Sequence, residues 1–206
     1  MKKQESSTNI GIVIIAVVIA VALSAVGFAW IIRRYIRPAI YYVSGADVVQ
    51  GDEFPEIDES ELTPNQKAII DSAKRVWQEP RPESFYTDVP QTEPWCANFV
   101  SYVYREAGLP FTNPVAGGWR IPGIYTLTDY LEQENYWHPV DSGYEPVAGD
   151  IVIYDHGVLS GHTNIVLKVE GDQMTTIGGN ENKAIHIRTI DYKDAKFGIQ
   201  GFGHVE

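Results

Sequence analysis

The sequence predicts an α+β fold, with helices first and an antiparallel sheet after. Three observations carry this reading. Apolar residues recur at helical spacing from Thr63 to about Asn135, whereas beyond Pro139 the pattern changes to short segments rich in β-branched and aromatic residues. The turn signals between those segments leave connections too short for crossover helices, so neighbouring strands must run antiparallel. Helices that precede a meandering sheet then pack on one of its faces.

The 206 residues, 44% of them hydrophobic, suit one domain of ordinary size with an appendage. The appendage is at the front. Residues 1–9 form a short tail, and Ile10 to Ile32 contains no charged residue over a length that spans a bilayer as a helix. A secretory signal would have a shorter apolar run and a small-residue cleavage site, whereas this run is followed at once by Arg33, Arg34 and Arg37. We read an uncleaved transmembrane anchor over 10–32. Lys2 and Lys3 at one end balance the arginines at the other, so the positive-inside rule does not orient it.

Residues 33–62 join this anchor to the domain at 63–206. Within them, Ser44 to Leu62 holds seven carboxylates and no basic residue, the composition of a solvated tether. The charge is split along the chain. Residues 1–43 carry five Lys and Arg against one Glu, so the overall −11 leaves −15 for the remainder. Binding to nucleic acid is excluded, since it needs clustered positive charge to displace counterions. The single cysteine allows no internal disulfide, and neither it nor the five histidines have the spacing of a metal site, so no cofactor or metal is expected.

The domain opens with Thr63-Pro64-Asn65-Gln66, which supplies an N-cap hydroxyl, a proline at the first helical position and a glutamine for a capping box. Ile69, Ile70, Ala73, Val76 and Trp77 form the buried stripe of this helix, and Pro80 and Pro82 end it near Glu79. A second helix holds the cysteine, starts with Pro94 at its first position and ends near Ala107, with Gly108 as a left-handed cap. Three prolines and Gly117-Gly118 make 109–125 an extended loop, and its Trp119, Ile121 and Tyr125 fit either a pinned loop or the border of a cleft. A short helix follows from Thr126 to about Asn135. Strands are expected at 151–154, 163–169, 174–177, 184–190 and 197–205.

Cys96 lies in the first turn of its helix, where backbone N–H groups without intrahelical partners and the helix dipole favour a thiolate. It also falls in register with Phe99, Val100, Val103 and Ala107, the spacing of a buried face, so periodicity alone equally fits an inert core thiol. A suitably placed base decides between them. His162 opens the strand Gly161-His162-Thr163-Asn164-Ile165-Val166, and alternation puts it on one face with Asn164 and Val166. His138, His156, His186 and His204 occupy turn or strand settings that fit surface or packing roles.

Trp95-Cys96-Ala97-Asn98-Phe99-Val100-Ser101, Pro146-Val147-Ala148-Gly149-Asp150-Ile151-Val152, the His162 strand and Thr176-Ile177-Gly178-Gly179-Asn180 stand in an order that resembles the CHAP family of cysteine amidohydrolases and peptidases. The resemblance runs from about Thr63 to the C-terminus. It implies a papain-like fold related to the NlpC-type cell-wall peptidases, with Cys96 as nucleophile, His162 as general base and Asn180 as the residue that orients the imidazole. It further implies a peptidoglycan hydrolase, either an N-acetylmuramoyl-L-alanine amidase or an endopeptidase of the stem peptide or cross-bridge, held at the cell membrane with its catalytic domain outside the cytoplasm. Many family members carry a glutamate two residues before the motif asparagine, where this chain has Gly178. Glu181 and Asn182 are therefore rivals to Asn180, and a catalytically inactive binding or scaffold module on the same fold is the alternative function.

Overall fold

The computed structural model describes residues 49–51, 53–88, 93–155 and 161–206; the anchor read at 10–32 lies outside them. Among the described residues no helix is long and apolar enough to cross a membrane.

Strand β1 (Val49–Gly51) is followed by helices α1 (Pro64–Gln78), α2 (Glu83–Tyr86), α3 (Cys96–Glu106) and α4 (Ile124–Gln133). Strands β2 (Trp137–Pro139), β3 (Ile151–Asp155), β4 (Gly161–Glu170), β5 (Gln173–Glu181), β6 (Ala184–Asp191) and β7 (Ile199–Gly203) then complete one antiparallel sheet in the order β1-β6-β5-β4-β3-β7-β2. The α+β class stands as the sequence predicts.

Each helix follows from local chemistry. At α1 the expected capping box is complete: Thr63 Oγ1 accepts from the Gln66 N–H and Gln66 Oε1 from the Thr63 N–H. Helix α3 ends with Gly108 at φ 82°, where the Leu109 N–H reaches back to the Tyr104 carbonyl. Its start differs from expectation. Pro94 stands before the N-cap, because Trp95, stacked on Tyr86 with ring centres 4.9 Å apart, lies outside helical dihedrals at φ −115° and ψ 17°. Cys96 is thus the first helical residue.

The core lies between these helices and one face of the sheet. Ile151, Ile165, Ile177 and Ile187 stand directly opposite one another across β3, β4, β5 and β6, all buried in the cluster that contains Ile69, Phe99, Val103 and Leu131. Helix α3 packs directly on the sheet at Gly179, where an added Cβ would lie 2.6 Å from the Phe99 Cβ.

Three departures have physical reasons. Part of the stretch read as tether forms β1, because pairing on the free edge of β6 uses backbone groups and is indifferent to acidic side chains. Strand β2 has too few residues to show alternation, and its proline is tolerated because it lies at the sheet edge. The last strand starts at Ile199, since Asp194 caps a 3₁₀ turn over Ala195–Phe197 that ends at Gly198 with φ 63°.

Candidate active site

The first turn of α3 and the beginning of β4 meet at Cys96 and His162. Cys96 is 2% exposed, and the backbone N–H groups of Cys96, Ala97 and Asn98 precede the first intrahelical bond, which the Phe99 N–H makes to the Trp95 carbonyl at 2.9 Å. The stacked Trp95 and Tyr86 rings fix this entry to the helix. His162 stands opposite Tyr154 in the β3–β4 register, and its side chain retains 16% of its exposure. Cys96 is near enough to act on its titration. The structure therefore brings the two motif residues together, the arrangement that a nucleophile and its base require.

The other side of the ring differs from expectation. His162 Nε2 lies 3.1 Å from Oε1 of Glu181, and no hydrogen bond links it to Asn180. Asn180 is half-buried and Asn182 exposed, whereas Glu181 is 2% exposed. The reason is a bulge. The β5–β6 register shifts between Gly178, opposite His186, and Glu181, opposite Ala184, with Asn180 in the left-handed region at φ 62°. The extra residue reverses the alternation, so that the side chain of residue 181 takes the direction which strict pleating would give residue 180.

Gly178 completes this arrangement. A Cβ built there would fall 1.9 Å from Asn164 Oδ1 and 2.8 Å from Glu181 Oε1. The carboxylate thus comes in from three residues downstream and occupies the space beside the missing side chain. Asn164 Nδ2 donates to Glu181 Oε1 at 3.0 Å and to Thr176 Oγ1 at 3.1 Å, and Arg188 forms an ion pair with the second carboxylate oxygen. Asn164 stands within the His162 motif and Arg188 outside every motif, and the parts of both depend on strand register. The available signal was alternation, which puts Asn164 on the face of His162.

Electrostatics follow from this packing. Burial alone would lower the His162 pKa, but hydrogen bonds and opposing charge from Cys96 and Glu181 outweigh it and push the imidazole up to about 10. Burial likewise acts to raise the Glu181 carboxyl, yet His162, Arg188 and Asn164 hold it below the usual carboxylate range. The imidazole is therefore held as a cation beside the sulfur, with a carboxylate behind it.

A second histidine–carboxylate pair lies elsewhere. His204 Nδ1 is 2.7 Å from Asp150 Oδ1, while the Tyr144 hydroxyl and the Val147 N–H donate to Asp150 Oδ2 at 2.9 and 2.8 Å. The hydrogen bond to Asp150 raises the His204 pKa, and the pair ties the chain beyond β7 to the start of β3. His138 stacks on Tyr144 with ring centres 4.0 Å apart. Both have packing roles, as their settings predict. His156 lies outside the described residues.

Residues 88–180 match the family model of the CHAP domain, an interval that includes Cys96 and His162 and stops one residue before Glu181. No curated protein matches the sequence. Two crystal structures of Ly7917 match part of the chain. The one described as holding the hydrolyzing product of MDP is 18% identical with a TM-score of 0.40, and the other is 20% identical with a TM-score of 0.42. Each match covers 66% of this chain, which spans 61% and 60% of the Ly7917 chains.

Proposed function

We propose, for a chain whose residues 88–180 match the CHAP domain, that it is a cysteine hydrolase cutting an amide bond of peptidoglycan, as an N-acetylmuramoyl-L-alanine amidase or an endopeptidase of the stem peptide or cross-bridge. The observation that carries this reading is the juxtaposition of Cys96, His162 and Glu181 at the start of α3. In this reading the Cys96 thiolate attacks the amide carbonyl carbon, and the carbonyl oxygen takes the negative charge against the Cys96 backbone N–H. The His162 imidazolium gives its proton to the leaving nitrogen as the C–N bond breaks, leaving a thioester. The now neutral imidazole takes a proton from water, whose oxygen attacks the thioester, and the sulfur departs as the carboxylic acid is released. Glu181, on Nε2, holds the orientation of the ring through both steps.

The chain is further proposed to be anchored in the cell membrane by residues 10–32, with the domain outside the cytoplasm, where peptidoglycan lies. Mass spectrometry of muropeptides after sacculi are incubated with the full chain tests the chemistry. New amino termini are expected with the wild type and not with Cys96→Ser, and their identity names the bond. Equal products from both proteins would leave the alternative of a binding module on the CHAP fold.

A further inference from the structure

Cys96 uses only one side of α3. Asn98, Tyr102 and Arg105 recur at i, i+4, i+7 and form a separate stripe, with Asn98 rotated by about 200° from Cys96 around the axis at 3.6 residues per turn. Phe99, on the Cys96 side, packs against Gly179 of the sheet. The Asn98 stripe instead borders a hollow closed by Phe85 from α2 and by Trp119 and Arg120 from the loop before α4. Neither Cys96 nor His162 lines this hollow.

Its lining is unusual for this chain. Outside residues 1–43 the protein carries a net −15, yet the two charged side chains lining the hollow are both arginines. The Arg105 guanidinium lies 4.2 Å from the Trp119 ring centre and 5.0 Å from that of Tyr102, and Arg120 lies 5.2 Å from Trp119. Stacking of this kind fixes the guanidinium planes and leaves N–H edges for bidentate partners. Their present partners are Glu106, 2.6 Å from Arg105 Nη2, and Asp88, which is 94% exposed and 3.8 Å from Arg120 Nη1. The second pair is long and solvated, so an incoming carboxylate displaces it at little cost.

Asn98 supplies the second, independent sign. It is 2% exposed, and its Oδ1 has no hydrogen-bond partner. A buried amide oxygen without a donor costs free energy until a ligand brings one.

We propose that this hollow is a second binding site, distinct from the catalytic pair, for the carboxylate end of a peptide. The carboxylate meets Arg120 and Arg105, the amide N–H of the same terminal residue donates to Asn98 Oδ1, and a small side chain rests on the Trp119 and Tyr102 rings. A terminal amino-acid residue offers an N–H donor and an anion a few ångströms apart, which matches this lining better than a neutral sugar. Identification of the ligand as a peptidoglycan stem peptide rests on the hydrolase reading above. Tyr86 lines the hollow and stacks on Trp95, so a bound peptide end would lie one ring from the start of the nucleophile helix.

The test is calorimetric titration of full-length Cys96→Ala, which cannot turn over, with acetyl-D-alanyl-D-alanine, its C-terminal amide and tri-N-acetylglucosamine. The acid is expected to bind at least tenfold more tightly than the amide, and Arg120→Glu, a change on a partly exposed loop, to remove at least tenfold of that affinity. Asn98→Leu should weaken acid and amide alike. Equal binding of acid and amide, insensitivity to Arg120→Glu, or preference for the saccharide would each overturn the proposal. Failure here while the wild type still opens sacculi sinks this inference alone. Tight acid binding by a protein that releases no muropeptide sinks the hydrolase reading alone.

Discussion

Glu181 carries its negative charge at neutral pH, since its carboxyl is held below the usual range, and one of its oxygens is shared between His162 and Asn164. Glu181→Gln keeps the shape and removes the charge. It is expected to lower turnover by roughly 10²–10⁴-fold, the range of a general acid–base contribution. In the wild type, a His162 pKa raised to about 10 means that the imidazolium and its stabilising contacts are fully present below about 6.5 and are lost as pH rises through 10. The alkaline limb of kcat/KM should lie there, and Glu181→Gln should move it to lower pH. Asn180 supplies the comparison. Asn180→Gly should retain turnover, whereas Asn180→Ala should cost about 1 kcal/mol of stability, because φ 62° is tolerated by glycine and by the short polar side chain of asparagine but not by alanine. If Asn180→Gly proves as damaging as Glu181→Gln, the third position belongs to the asparagine.

Among the elements, the contact between α3 and β5 determines where the sulfur sits. Gly179 does not have positive φ, so its requirement is space: a Cβ there would lie 2.5 Å from Trp95 Cζ3 and 2.6 Å from Phe99 Cβ. Neither neighbour can yield, since Trp95 is stacked on Tyr86 and Phe99 is fully buried. Gly179→Ala is expected to push the helix start away from the sheet, with an overpacking cost of about 1–3 kcal/mol. Cys96 would move away from His162 with it, so activity and iodoacetamide labelling of Cys96 should fall further than the melting temperature. Wild-type labelling and turnover in this variant would mean that the helix–sheet contact does not position the nucleophile.

For the whole molecule, the division of charge and hydrophobicity places different demands on the two ends of the chain. A run of 23 residues without charge at 10–32 suits hydrocarbon, and the acidic remainder suits water. If the domain acts on peptidoglycan, protease added to intact spheroplasts should remove it and leave the anchor in the membrane fraction. Protection of the domain until lysis would place it in the cytoplasm and contradict the proposed substrate. Within the stretch read as a tether, β1 pairs with β6, and Phe54, Ile57 and Leu62 pack against the core.

The pairing of Cys96 with His162 came from the CHAP resemblance, but local signals were enough for the α+β class, the α1 capping box and the Gly108 cap. Each is written within a few neighbouring residues, through propensity, capping chemistry or alternation. The third partner of the ring was not legible in the same way. Asn180, Glu181 and Asn182 are adjacent, and choosing among them requires knowing that a one-residue bulge reverses the strand's alternation and that Arg188 and Asn164 wait on neighbouring strands to hold a buried carboxylate. Register between strands is a property of the assembled sheet, so a buried charge could find its place only once β4, β5 and β6 were packed together.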